Sequence, residues 1–223
     1  MRGGVAVRPL AVIAAAATAV FAALTVIVTT SAPLAFDTRA FRVAGDVRAP
    51  WLDHAARVIT TLGLFAIVGP AVAIGAVLLF RAGERVRVAA LVAGTAVAWT
   101  GVQIVKAAVG RPRPSAPLVH TTGDSYPSGH AANSVGWLAL AFALTAVIPS
   151  RAVGRVAVGG AAVIVVLVAL SRIYLGAHYA SDVIAGVALA TASYALVAIA
   201  SIVYARRRSS AAGRRSVRRA HDR

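Results

Sequence analysis

Two histidines stand where their neighbours could put them to chemical use. His130 closes the run Pro127-Ser128-Gly129-His130, and His178 is followed four residues later by Asp182. Residues at i and i+4 share one face of a helix. An aspartate so placed can accept the N–H of one imidazole nitrogen, which sets the tautomer and leaves the other nitrogen's lone pair free. Serine caps helix ends well, so an N-cap is the plain explanation of Ser128. A cap does not explain Gly129, which lets a ligand approach the backbone closely, and it does not explain His130. Three cations complete the set: Lys106, Arg113 in the run "GRPRP", and Arg172. Taken singly, each has an ordinary explanation, since a lysine at a span end snorkels to the headgroups and a solvated ion pair is common.

The elements that must hold these residues are membrane helices. The chain is 59% hydrophobic and 13% charged, and apolar stretches near the length of about 20 residues that crosses a bilayer recur along it. Six are expected, at roughly 10–30, 58–80, 88–108, 131–148, 156–172 and 183–204, giving an all-α integral membrane bundle. The first, "LAVIAAAATAVFAALTVIVTT", exceeds the apolar core of about 7–15 residues typical of a signal peptide and reads as a retained span. Residues 31–57 read as the first outer loop, with Trp51 and Phe36 or Phe41 as headgroup-level anchors and His54 as an interfacial residue. Gly110 should end the third span in a left-handed conformation, and Pro112 and Pro114 keep the helix from resuming. Gly176 marks the turn before the last span. With no cysteine, disulfides and thiol chemistry are excluded.

Of the 23 basic residues, 15 fall in segments on one side if the chain starts in the cytoplasm. The bias of arginine and lysine toward cytoplasmic loops then places both termini inside. The charge of +16 is thus largely a topology signal. The tail "RRRSSAAGRRSVRRAHDR", residues 206–223, has no aromatic side chain for base stacking and argues for anionic lipid headgroups rather than nucleic acid. It reads as a disordered appendage to a domain at 1–205. In this topology Lys106, Arg113, Ser128 to His130, Arg172, His178 and Asp182 all lie at the outer ends of the third to sixth spans. Three cations, two histidines and a carboxylate at one membrane face suit a dianionic phosphate, which needs positive charge, backbone N–H donors, a nucleophile and an acid.

The spacing resembles the type 2 phosphatidic acid phosphatase family, which also holds the vanadium haloperoxidases. That family carries K-x6-R-P, P-S-G-H and S-R-x5-H-x3-D. Here "KAAVGRPRP" runs from Lys106 through Arg113 to Pro114, "PSGH" covers 127–130, and "SRIYLGAHYASD" covers 171–182. The resemblance spans the chain, with its core at 106–182. It implies that Lys106, Arg113 and Arg172 bind phosphoryl oxygens, helped by Ser128 and the backbone N–H of Gly129. His178 would be the nucleophile that forms a phosphohistidine, with Asp182 orienting it. His130 would protonate the leaving group and then activate water. It further implies a metal-independent hydrolase without cofactor, acting on a lipid phosphate or diphosphate such as a polyprenyl diphosphate, phosphatidic acid or phosphatidylglycerophosphate. The site would face the outside of the plasma membrane. The same residues would serve a phosphotransferase, and the fold alone would suit a transporter or scramblase.

Overall fold

The structure, a computed structural model, describes residues 7–30 and 34–221. Arg2, Asp222 and Arg223 lie outside the described residues. Eight helices and no strand are found among the residues described: α1 (Val7–Thr30), α2 (Ala35–Asp46), α3 (Pro50–Thr61), α4 (Phe65–Arg81), α5 (Arg85–Val109), α6 (Gly129–Leu144), α7 (Arg151–Tyr174) and α8 (Ala180–His221). Four of them, α1, α5, α7 and α8, are long and apolar enough to cross a membrane. The pair α3 and α4, bent by 45°, makes a fifth if counted as one span.

Three expectations change in shape. Residues 31–57 are largely helical, because α2 and most of α3 occupy that stretch. The span expected at 58–80 is broken at Leu62–Leu64. A Cβ on Gly63 would lie 2.7 Å from the carbonyl oxygen of His130, so glycine allows the break to sit against the start of α6. The carbonyls exposed there are met by α6: Trp137 Nε1 donates to Leu62 at 2.8 Å and Asn133 Nδ2 to Gly63 at 3.2 Å. Finally, α6 has 16 residues, about 24 Å at 1.5 Å per residue, which is short of a hydrocarbon core of about 30 Å. Its end is held by Arg87, whose Nη1 donates to the carbonyls of Phe142 and Ala143 at 3.1 Å.

Past its apolar part, α8 continues as helix through the basic stretch from 206 to His221. A formed span supplies the nucleus, and each further residue then adds a hydrogen bond at little cost.

Helix α8 is the hub, packing against α1, α5 and α6, while α6 also packs on α7. Val102, Ala132, Val135, Val165 and Ala190 form the core between α5, α6, α7 and α8. The four helices that carry the motifs thus share one apolar core, and their site-bearing ends are held together by it.

Candidate active site

Ser128 occupies the N-cap position of α6 in extended conformation, yet its side chain makes no capping bond. Its Oγ is buried without a hydrogen-bond partner among the described residues, as are Arg172 Nε and His178 Nδ1. Capping is therefore not what the hydroxyl does. Buried polar atoms are nearly always paired; Nδ1 faces Asp182, and Ser128 Oγ and Arg172 Nε have a hydrogen bond to offer a ligand. The Ser128 backbone is fixed from behind: its N–H donates to Asp182 O at 2.9 Å. A Cβ on Gly186 would strike its carbonyl oxygen, so glycine there lets α8 approach the loop. A Cβ on Gly129 would meet only Val102, at 3.8 Å. Nothing in the protein excludes a side chain at 129, and the bare backbone N–H at the α6 start is left for a ligand.

Gly110 ends α5 with φ 59° and ψ 30°, as its position required. The loop that follows turns its carbonyls toward the cations. Lys106 Nζ donates to Asp124 O. Arg113 donates from Nε to Gly123 O and from Nη2 to Thr122 O, both at 2.8 Å, and from Nη2 to Asp124 O at 3.2 Å. Its Nη1 reaches Ala177 O at 2.8 Å and His178 Nε2 at 3.2 Å. All five N–H groups of the guanidinium are thus directed at protein atoms, and a phosphate oxygen would take over the one aimed at His178. Arg172 is 4% exposed and donates from Nη1 to Thr60 Oγ1 at 2.8 Å.

His178 lies just before α8, not on it. Its Nδ1 is 3.5 Å from Asp182 Oδ2, without the alignment of a hydrogen bond. Asp182 is fully buried and held by Tyr179 N at 2.9 Å, by Ser125 Oγ, and by Arg111 Nη1 at 2.5 Å. Burial pushes the His178 imidazole down to about 4, the adjacent carboxylate offsetting only part of the effect. Burial also presses Arg113 below its usual range, again partly offset by Asp182. The His130 ring makes no hydrogen bond among the described residues and sits in the field of Arg172, His178, Arg113 and Lys106.

The sign of the pH effect follows. Between pH 6.5 and about 4 the unfolded chain binds a proton at His178 that the folded protein does not. Stability therefore falls as pH drops through that window, and the neutral imidazole persists down to its lower end. A titration of the His178 ring followed by NMR in micelles is expected to show a midpoint near 4. A midpoint at the ordinary value would contradict the burial argument.

All eight sequence-chosen residues are thus at one end of α5, α6, α7 and α8. Sequence reasoning missed Arg111, Ser125, Asp37 and Gly186. Asp37 offered one signal: it is among only seven acidic residues in the chain, yet it is 1% exposed. His120 and the Asp124 side chain contribute no bond, but the Asp124 carbonyl receives two cations. A cavity of about 430 Å³ lies to one side, between Phe41, Arg48, Pro114, Tyr174, Gly176 and Tyr179; none of the eight lines it. Among the described residues, no three His, Asp or Glu side chains cluster to hold a metal.

A membrane bundle that sets a buried imidazole against a half-buried arginine is suited to phosphoryl transfer at a lipid surface. Residues 87–208 match the model of the PAP2 superfamily, more than half the chain, and the chain belongs to that family. It is 34% identical over 182 residues to phosphatidylglycerophosphatase B of Bacillus subtilis (strain 168), covering 79% of this chain and 89% of that one. Among solved structures it resembles the transmembrane PAP2-type phosphatidylglycerolphosphate phosphatase from Bacillus subtilis. The TM-score is 0.76 at 28% identity, over 82% of this chain and 93% of that one. Aquifex aeolicus LpxE shares the fold, with a TM-score of 0.58 at 21% identity over 74% and 95% of the two chains.

Proposed function

We propose that this membrane lipid phosphatase hydrolyses a glycerophospholipid phosphomonoester of the phosphatidylglycerophosphate kind through a phosphohistidine on His178. The observation that carries the reading is the placement of that ring, with Nδ1 at 3.5 Å from Asp182 and Nε2 at 3.2 Å from Arg113. With a proton on Nδ1, the lone pair of Nε2 faces the phosphate position. The substrate class is supported by the name of the relative at 34% identity. Polyprenyl diphosphate and phosphatidic acid present the same terminal phosphate and are the other candidates.

The reaction runs in two displacements. Nε2 forms a bond to phosphorus, the bond from phosphorus to the lipid oxygen breaks, and His130 gives that oxygen its proton. A dianionic phosphate beside His130 favours the charged imidazole that this step needs. Lys106, Arg113, Arg172, Ser128 Oγ and the N–H of Gly129 hold the non-bridging oxygens as charge builds on them. His130 then takes a proton from water, whose oxygen attacks phosphorus. The P–N bond breaks and phosphate leaves.

No metal enters these steps. Six spans with both termini in the cytoplasm, and the site at the outer face of the plasma membrane, fit the arginine distribution. The basic stretch from Arg206 then meets anionic headgroups on the inner side.

The test is phosphate release from detergent–lipid micelles containing EDTA, over a panel of lipid phosphates and diphosphates. Release from a glycerophospholipid monoester is expected. A requirement for added metal would overturn the mechanism. Phosphate appearing on an acceptor lipid instead of in solution would make the enzyme a transferase.

A further inference from the structure

Helix α2 lies outside the stretch that matches the family model, yet it sends a carboxylate into the catalytic centre. Asp37 is 1% exposed. Its Oδ1 accepts the backbone N–H of Ser181 at 2.8 Å, and its Oδ2 accepts Ser181 Oγ at 2.7 Å and Arg111 Nη2 at 3.0 Å. The Ser181 N–H is one of the donors that a helix start leaves unpaired, so Asp37 caps α8 from another helix. Arg111 bridges two carboxylates, with Nη2 on Asp37 and Nη1 on Asp182 Oδ1 at 2.5 Å. Its guanidinium carbon lies over the Tyr179 ring, 4.0 Å from the ring centre. The Ser181 hydroxyl also accepts from Arg111 Nη1, at 2.7 Å.

We infer that Asp37 is a positioning residue of the catalytic centre, holding Asp182 in place beside His178 through Arg111 and Ser181. The inference rests on His178 being the nucleophile. Asp182 can orient the imidazole only while its Oδ2 stays beside Nδ1. Tyr179 N and Ser125 Oγ hold Oδ2, and Arg111 fixes the rotation of the carboxylate by holding Oδ1. A guanidinium paired with Asp182 alone could pivot about that contact; the second carboxylate removes the freedom by using the other arm of the fork. Asp37 touches no reacting atom, and its effect passes through the geometry of Asp182.

The experiment compares Asp37→Asn, Arg111→Gln and the double variant in the lipid phosphatase assay, with His178→Ala alongside. Asp37→Asn is expected to lower kcat about 10- to 100-fold, the scale known for groups that orient a metal-binding imidazole. KM should stay within about twofold, because Lys106, Arg113 and Arg172 are untouched. The double variant should be no worse than the worse single one, as coupled residues behave. The ring nitrogens of His178, read by 15N NMR, should shift toward a mixture of tautomers in Asp37→Asn. Wild-type kcat, additive losses or unchanged ring signals would overturn the inference. An active His178→Ala would instead remove the nucleophile assignment on which it stands. Should Asp37→Asn fail to fold, Ser181→Ala, which cuts the hydroxyl from both Asp37 and Arg111, carries the same readouts. A fall in kcat at constant KM supports the relay, and full kcat sinks it.

Discussion

Replacing His178 by alanine is expected to cut lipid phosphate turnover at least about 10⁴-fold, the order seen when a nucleophile acting in a unit is removed. The physical reason is that the attacking nitrogen is lost, while the neighbouring His130 and Ser128 are assigned to proton transfer and to phosphate binding. The chain has no cysteine, Asp182 is committed to Arg111, Ser125 and the Tyr179 backbone, and the cations around it carry no lone pair. The fold should survive, because His178 Nδ1 has no hydrogen-bond partner to orphan among the described residues, Arg113 Nη1 keeps Ala177 O when it loses His178 Nε2, and the backbone of the loop stays anchored to Arg172 O. Substrate binding should survive too, since the phosphate donors remain. Turnover in micelles, checked against elution volume and helical circular dichroism, decides the matter. More than about one hundredth of wild-type turnover in a folded variant would end the nucleophile assignment, because the expected loss is far larger. It would also revive a transporter or scramblase with this fold.

His130→Gln should separate the two halves of the reaction. Loss of a positioned acid typically lowers rates about 10²- to 10⁴-fold, and the lipid alkoxide, a poor leaving group, should show that full loss. A nitrophenyl phosphate leaves without a proton and should lose much less in its first step. Its second step still lacks the base that activates water, so phosphorylated protein should accumulate. That adduct should be labile in acid and stable in alkali, as a phosphorus–nitrogen bond is. The dual role is supported by what His130 lacks: its ring has no hydrogen bond among the described residues to hold its proton, and it lies in the field of Arg172, Arg113 and Lys106. Equal losses with both substrates, and no adduct, would assign His130 to binding alone.

The chemical parts of this enzyme were legible because each is local in the chain or forced by the membrane. The spacing within "PSGH" and from Ser171 to Asp182 is short, so a helix start and one turn between helices suffice to keep those side chains near one another. A charge near a span end is costly unless it is paired or faces a wet cavity, which singled out Arg172; Lys106 stood out only by sharing that membrane face. Gly110 needed no partner to predict, since only its own backbone had to turn left-handed. The expectation for Ser128 was half right: it stands at the cap position, but its hydroxyl caps nothing.

What stayed hidden is what depends on contact between distant segments. Asp37 meets Ser181 across 144 residues and Arg111 across 74, and Ser125 meets Asp182 across 57. No local pattern marks such pairs, because a buried charge is tolerated only once its partner has been folded against it. The same holds for the break between α3 and α4, whose open carbonyls are satisfied by Asn133 and Trp137 of α6. By itself the amino-acid sequence determined the kind of protein and singled out the groups proposed for its chemistry, since spacing and hydropathy act along the chain. The tertiary structure alone decided which groups hold those in place, since orientation is set by packing and hydrogen bonds between helices far apart in sequence.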